Sequence, residues 1–115
     1  IDKVLARKKL SIPLDKTVVL YFGTIRHSKG LDLLLKAFPK AVERNKDLYL
    51  LGAGAFHAVD EEEYRNLAKN NLSLGRGRMD FGHVSDEMMC YYFSAADILC
   101  VHIGKYIKVV LHSLA

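Results

Sequence analysis

Apolar positions recur along the chain in two rhythms. Residues 17–22, Thr-Val-Val-Leu-Tyr-Phe, form a continuous β-branched and aromatic run with no polar alternation. That pattern predicts a strand covered on both faces. From Ser28 to Asn45, the residues Leu31, Leu34, Leu35, Phe38, Ala41 and Val42 follow the three-and-four spacing of a helix with one buried face. Ser28 stands where a cap is wanted. Pro39, which lacks a backbone donor, predicts a kink or an early end. Ahead of these elements, residues 2–10 carry Val4, Leu5 and Leu10 among cations and read as a short surface helix that stops at Ile12-Pro13.

The alternation then repeats. Residues 48–51 predict a second short buried strand, closed by Gly52-Ala53-Gly54. Asp60 followed by Glu63 resembles a capping box, opening a helix to about Asn71 with Tyr64, Leu67 and Ala68 inward. Residues 79–84 read as a third strand. Ser85 then caps a helix whose first-turn acids, Asp86 and Glu87, suit the positive helix end, with Met88, Met89, Tyr92, Phe93 and Ala96 as its packing stripe. Residues 98–101 predict a fourth strand and residues 106–115 a final helix. Four strand–helix alternations with short connections specify an α/β, Rossmann-like parallel sheet flanked by helices, with the least polar strand, 17–22, at its centre. Residues 1–115 are expected to be one such domain, or part of one, incomplete at the C-terminal side.

Composition narrows the classes. The chain has 115 residues, is 50% hydrophobic and has 2 prolines, which excludes disorder and collagen-like repeats. Its apolar runs fall far short of the ~20 residues that cross a bilayer. Lys and Arg exceed Asp and Glu by 17 to 13, a surplus compatible with an anionic ligand but too dispersed for a nucleic-acid surface. Cys90 and Cys100 stand ten apart without a CxxC pattern, so reduced thiols and a cytoplasmic location are expected. The start at Ile1, already inside a helix-like segment, suggests a piece of a longer polypeptide.

The stretch richest in chemistry is Gly23-Thr24-Ile25-Arg26-His27-Ser28-Lys29-Gly30, between the first strand and the first long helix. Ligands of open α/β sheets bind outside the carboxyl ends of strands. Gly23 allows an unobstructed turn, the following helix start offers N–H groups to an anion, and Arg26 and Lys29 add two cations. Together these could hold a diphosphate. From spacing alone, a strand-ending turn with two solvated cations fits equally well. The segment is not a P-loop, since Lys29 precedes its glycine. Gly52-Ala53-Gly54 lacks the third glycine of a dinucleotide fingerprint. The five histidines are scattered without metal-ligand spacing, so neither a metal nor a resident cofactor is expected. Gly75-Arg76-Gly77-Arg78 reads as a solvated basic turn, with RNA contact as the competing reading.

The segment from Phe22-Gly23 through Lys29-Gly30-Leu31 to Phe38 resembles the opening of the C-terminal, donor-binding domain of family 4 retaining glycosyltransferases, the glycogen-synthase-like group. The resemblance continues in register through Leu50-Leu51-Gly52-Ala53-Gly54, Asp80-Phe81-Gly82-His83-Val84-Ser85-Asp86-Glu87 and Tyr92-Phe93-Ser94-Ala95-Ala96-Asp97-Ile98. It implies a nucleoside-diphosphate-sugar donor as partner and a hydroxyl acceptor. It further implies diphosphate contacts from Gly23, Arg26 and Lys29, and a nucleotide base lying against His83 and Val84. Thr24 stands where that family usually has an arginine.

The resemblance weakens at the end. An ungapped alignment puts Gly104 and His112 where the family has two glutamates that contact the sugar and the ribose, and no Glu follows Glu87. The acceptor domain of such enzymes is also missing from these residues. The chain alone is therefore expected not to transfer sugar. The alternative is a non-catalytic fragment or degenerate domain that binds nucleotides or self-associates through residues 98–115.

Overall fold

The computed structural model describes residues 1–27, 30–103 and 106–111. Its elements in chain order are α1 (Lys3–Leu10), β1 (Thr17–Phe22), α2 (Leu31–Arg44), β2 (Leu48–Gly54), α3 (Glu61–Asn71), β3 (Gly77–Phe81), α4 (Asp86–Ala95), β4 (Ile98–Ile103) and β5 (Tyr106–Leu111). They build a sheet of order β3-β2-β1-β4-β5, in which β1 to β4 are parallel and β5 runs antiparallel to β4. The Rossmann-like α/β architecture is therefore present, with β1 central.

The unbroken apolar run of β1 feeds two cores. Val18 and Leu20 point to the face covered by α1 and α4, where Ala6, Leu10, Tyr49, Leu51, Tyr92 and Ala95 pack. Val19 and Tyr21 point to the opposite face, with Leu31, Leu35, Phe38, Leu50 and Tyr64 from the α2/α3 side. Period-two alternation places successive residues on opposite faces, so a strand buried on both must be apolar throughout.

Several expectations change. The second strand runs to Gly54, three residues past its predicted end, because Tyr21 and Phe22 of β1 pair with Gly52 and Ala53. The third strand is Gly77–Phe81 and not 79–84; Gly77 and Arg78 already pair with Leu50 and Leu51. The cap of α2 is Gly30 in the left-handed region, while Ser28 lies outside the described residues. Pro39 does not end α2, which continues to Arg44 because Phe38 and Val42 on either side are buried in the core.

The largest correction is at the end. Residues 106–111 are not helical; Tyr-Ile-Lys-Val-Val-Leu pairs in full register with β4, from Ile103 with Tyr106 to Ile98 with Leu111. A β-branched and aromatic run beside an open strand edge gains ladder hydrogen bonds there. Residues 112–115 of that predicted helix lie outside the described residues.

The amino ends of β1 and β4 are joined by charge. Arg7 on α1, 4% exposed, donates to the carbonyls of Ala95, Leu14 and Lys16 at 2.9, 3.1 and 2.9 Å and to Asp97 Oδ2 at 2.6 Å. Asp97 also accepts from Lys3 and from the Val18 N–H, and its own N–H donates to Val18 O at 2.8 Å. The Ala95-Ala96-Asp97 motif is thus structural here: small residues admit the buried guanidinium, and the carboxylate neutralises it.

Candidate functional site

The chain leaves β1, β2 and β3 at the same edge of the sheet, and a cleft of about 210 Å³ opens there. Phe22, Gly23 and Thr24 contribute from the first strand end, Gly54 and Ala55 from the second, and Gly82, His83 and Val84 from the third.

Backbone holds these walls together. Parallel pairing continues beyond the strands: Gly23 N–H donates to Ala53 O at 3.0 Å, Ile25 N–H to Ala55 O at 2.8 Å, and His57 N–H to Ile25 O at 3.0 Å. Gly82 N–H donates to Gly54 O at 2.8 Å. Gly54 is required by this closeness, since a Cβ there would lie 1.8 Å from the Gly23 carbonyl oxygen. Gly23 itself has φ +142°, a conformation that L side chains rarely adopt. On the α2/α3 side, Phe56 and Phe81 stack with ring centroids 4.7 Å apart, and the Arg65 guanidinium lies 5.4 Å from both rings.

No carboxylate lines the cleft among the described residues. Because the strands are parallel, α2, α3 and α4 all begin at this edge. Asp60 caps α3 by accepting from the N–H groups of Glu62 and Glu63, and Ser85 caps α4 by accepting from Met88 N–H. α2 starts at Gly30, and among the described residues no side chain caps it, which leaves its positive end to other acceptors.

Of the residues singled out from sequence, Gly23, His83 and Val84 come together in this cleft. Arg26 is exposed one residue beyond the fully buried Ile25 and does not line it. Lys29, Gly104 and His112 lie outside the described residues. Phe22, Thr24 and Ala55 also line the cleft without having been assigned a role from sequence; each adjoins a glycine at a strand end, which is the signal that could have marked them. The basic turn is also different from its prediction, because Arg78 is engaged by Asp80 and by Leu10 O.

Burial sets the tyrosine chemistry near the site. The Tyr92 hydroxyl is pushed up to about 12 by burial and by its hydrogen bond to Asp80. Tyr21 is also pushed up to about 12, by burial first and then by neighbouring Tyr64 and Asp32. Both are neutral phenols at physiological pH.

The family model described as glycosyl transferases group 1 matches residues 2–104. Similar curated proteins include an uncharacterized glycosyltransferase of Methanocaldococcus jannaschii, 24% identical over 101 residues that cover 87% of this chain and 25% of the relative. Another is the lipopolysaccharide 1,2-N-acetylglucosaminetransferase of Salmonella typhimurium, 30% identical over 99 residues, 83% of this chain and 26% of that protein. The chain thus spans about a quarter of the length of these relatives. Among solved structures, the C-terminal domain of a glycosyl transferase group 1 family protein from Francisella tularensis matches with a TM-score of 0.65 at 18% identity, covering 85% of this chain and 51% of that one.

Proposed function

Because the chain belongs to the group 1 glycosyl transferases, we propose that its cleft receives a nucleoside-diphosphate sugar, whose sugar passes to a hydroxyl with retention at the anomeric carbon. The observation that carries this reading is the cleft itself. It sits at three parallel strand ends, takes a glycine from each and carries no carboxylate among the described residues, beside a helix start with no side-chain cap among those residues. A diphosphate needs that electrostatic setting, and so does its departure in the transition state.

In this reading, Lys29 and Arg26 hold the diphosphate with the α2 N-terminus, Gly23 lets the backbone approach it, and His83 and Val84 carry the base. Residues 1–115 supply the donor side, and a further domain in the same enzyme supplies the acceptor. Cys90 on α4 and Cys100 in the core of the opposite sheet face are both free thiols, and a cytoplasmic setting is part of this reading.

Calorimetry with uridine, guanosine and adenosine diphosphates tests the binding. One of them is expected to bind with an affinity that falls as salt rises, and Lys29→Ala should cost about 1.5–3 kcal/mol. Equal heats for wild type and variant would refute the phosphate assignment.

One observation favours a second reading, a binding domain without catalysis. The family match stops at residue 104, and residues 106–111, which an ungapped alignment places between the family's two glutamates, form an antiparallel strand on β4. Radiolabelled nucleotide sugars with mixed acceptors separate the two: label recovered in a glycoside, and lost in Lys29→Ala, excludes the non-catalytic reading.

A further inference from the structure

Asp80 lies on β3 two residues before Gly82, and three donors converge on its carboxylate. Arg78 donates Nε–H to Oδ1 at 2.8 Å and Nη2–H to Oδ2 at 3.0 Å, while the Tyr92 hydroxyl on α4 donates to Oδ2. The remaining Arg78 arm, Nη1, donates to Leu10 O at the end of α1 at 2.7 Å. One connected network therefore ties β3 to α4 and to α1.

Its position is informative. The loop between β3 and α4 comprises residues 82–85 and supplies Gly82, His83 and Val84 to the cleft. Asp80 holds one side of that loop and Tyr92 the other. The Tyr92 ring also packs against Phe22, centroids 5.9 Å apart, and Phe22 lines the cleft from the β1 side. A single phenol thus touches the residue at one wall and anchors the strand that leads into the other. Tyr92 is buried and remains a donor well above neutral pH. A bidentate guanidinium–carboxylate pair fixes orientation as well as distance.

We propose that Arg78, Asp80 and Tyr92 are positioning residues that set the gap between Phe22 and the His83-Val84 wall, and through it the selectivity of the cleft for the nucleoside base. The inference rests on the reading of the cleft as a nucleotide site. None of the three touches the ligand; they act through the loop they span.

The test is calorimetry of the 115-residue chain with uridine, guanosine and adenosine diphosphates. Tyr92→Phe keeps the ring against Phe22 and removes the donor. The ratio of affinity between the best-bound and worst-bound base should shrink roughly fivefold, the scale of one lost hydrogen bond. A merely structural role would weaken all three ligands by the same factor and leave the ratio unchanged. An unchanged ratio, or a wild type that does not distinguish the bases, overturns the inference alone. A wild type that binds none of the three overturns the nucleotide reading and this inference with it. If circular dichroism shows that Tyr92→Phe does not fold, Asp80→Asn is scored on the same ratio, since it keeps an acceptor for Tyr92 and withdraws the charge from Arg78.

Discussion

Replacing Arg7 by Met should destabilise the domain more than any exposed substitution. The guanidinium is almost completely buried and satisfies three backbone carbonyls and one carboxylate. Methionine keeps much of the apolar stem and removes every donor. Breaking a buried pair costs about 3–5 kcal/mol. The low end applies because Asp97 is 24% exposed and retains Lys3 and the Val18 N–H.

A loss of about 3 kcal/mol is a large share of the roughly 5–15 kcal/mol that holds a domain together. With a urea slope of about 1.5 kcal/mol per molar, the unfolding midpoint should fall by about 2 M. Urea titrations followed by far-ultraviolet circular dichroism measure it, and Asp97→Asn with the double variant completes a cycle. A loss below about 1 kcal/mol, or additive single effects, would refute the argument. The same pair predicts an acid limb. Burial raises the Asp97 carboxyl, but hydrogen bonds from Lys3, Val18 N–H and Arg7 outweigh it and hold it below 3.8. The unfolded chain then takes up that proton first, so this contribution is complete above 3.8 and is lost as pH falls through the lower folded value. Wild type should lose stability relative to Asp97→Asn across that window.

Gly54→Ala should push the first two strand ends apart, costing about 1–3 kcal/mol and abolishing nucleotide binding; wild-type affinity in this variant would sink the close-approach argument. Cys90, exposed on α4, should react with an aromatic disulfide reagent in the folded protein, whereas Cys100, whose thiol burial pushes up, should react on unfolding; two rapidly reacting thiols would contradict the packing. The outer edge of β5 should pair with a second copy at high concentration, which sedimentation equilibrium would show as dimer; a clean monomer there removes the idea.

Much of this fold was legible because its signals are local. β1 is apolar from Val18 onward since both its faces are covered, and α2 displays its stripe since one of its faces is. Asp60 and Ser85 cap the helices they precede, as their spacing indicates. Gly23 was likewise readable as the neighbour of a strand end, whereas His83 and Val84 were marked by the family resemblance alone; parallel topology brings them to one edge.

What followed from partners distant in sequence was not legible. Residues 106–111 have apolar positions that suit either a helix or a strand, and the open edge of β4 decides between them. Arg78 looks like any loop cation until Asp80, Tyr92 and Leu10 O are assembled around it. Arg7 is one of several cations in the first helix, and its burial follows from Ala95 and Asp97, about ninety residues away. The sequence by itself determined the elements through β4, their alternation and the edge at which a ligand would sit, because those depend on periodicity and chain direction. Tertiary structure alone decided which charges are buried, which strand ends touch and where the last segment pairs, because a hydrogen bond or an ion pair depends on a second group that chain order does not locate.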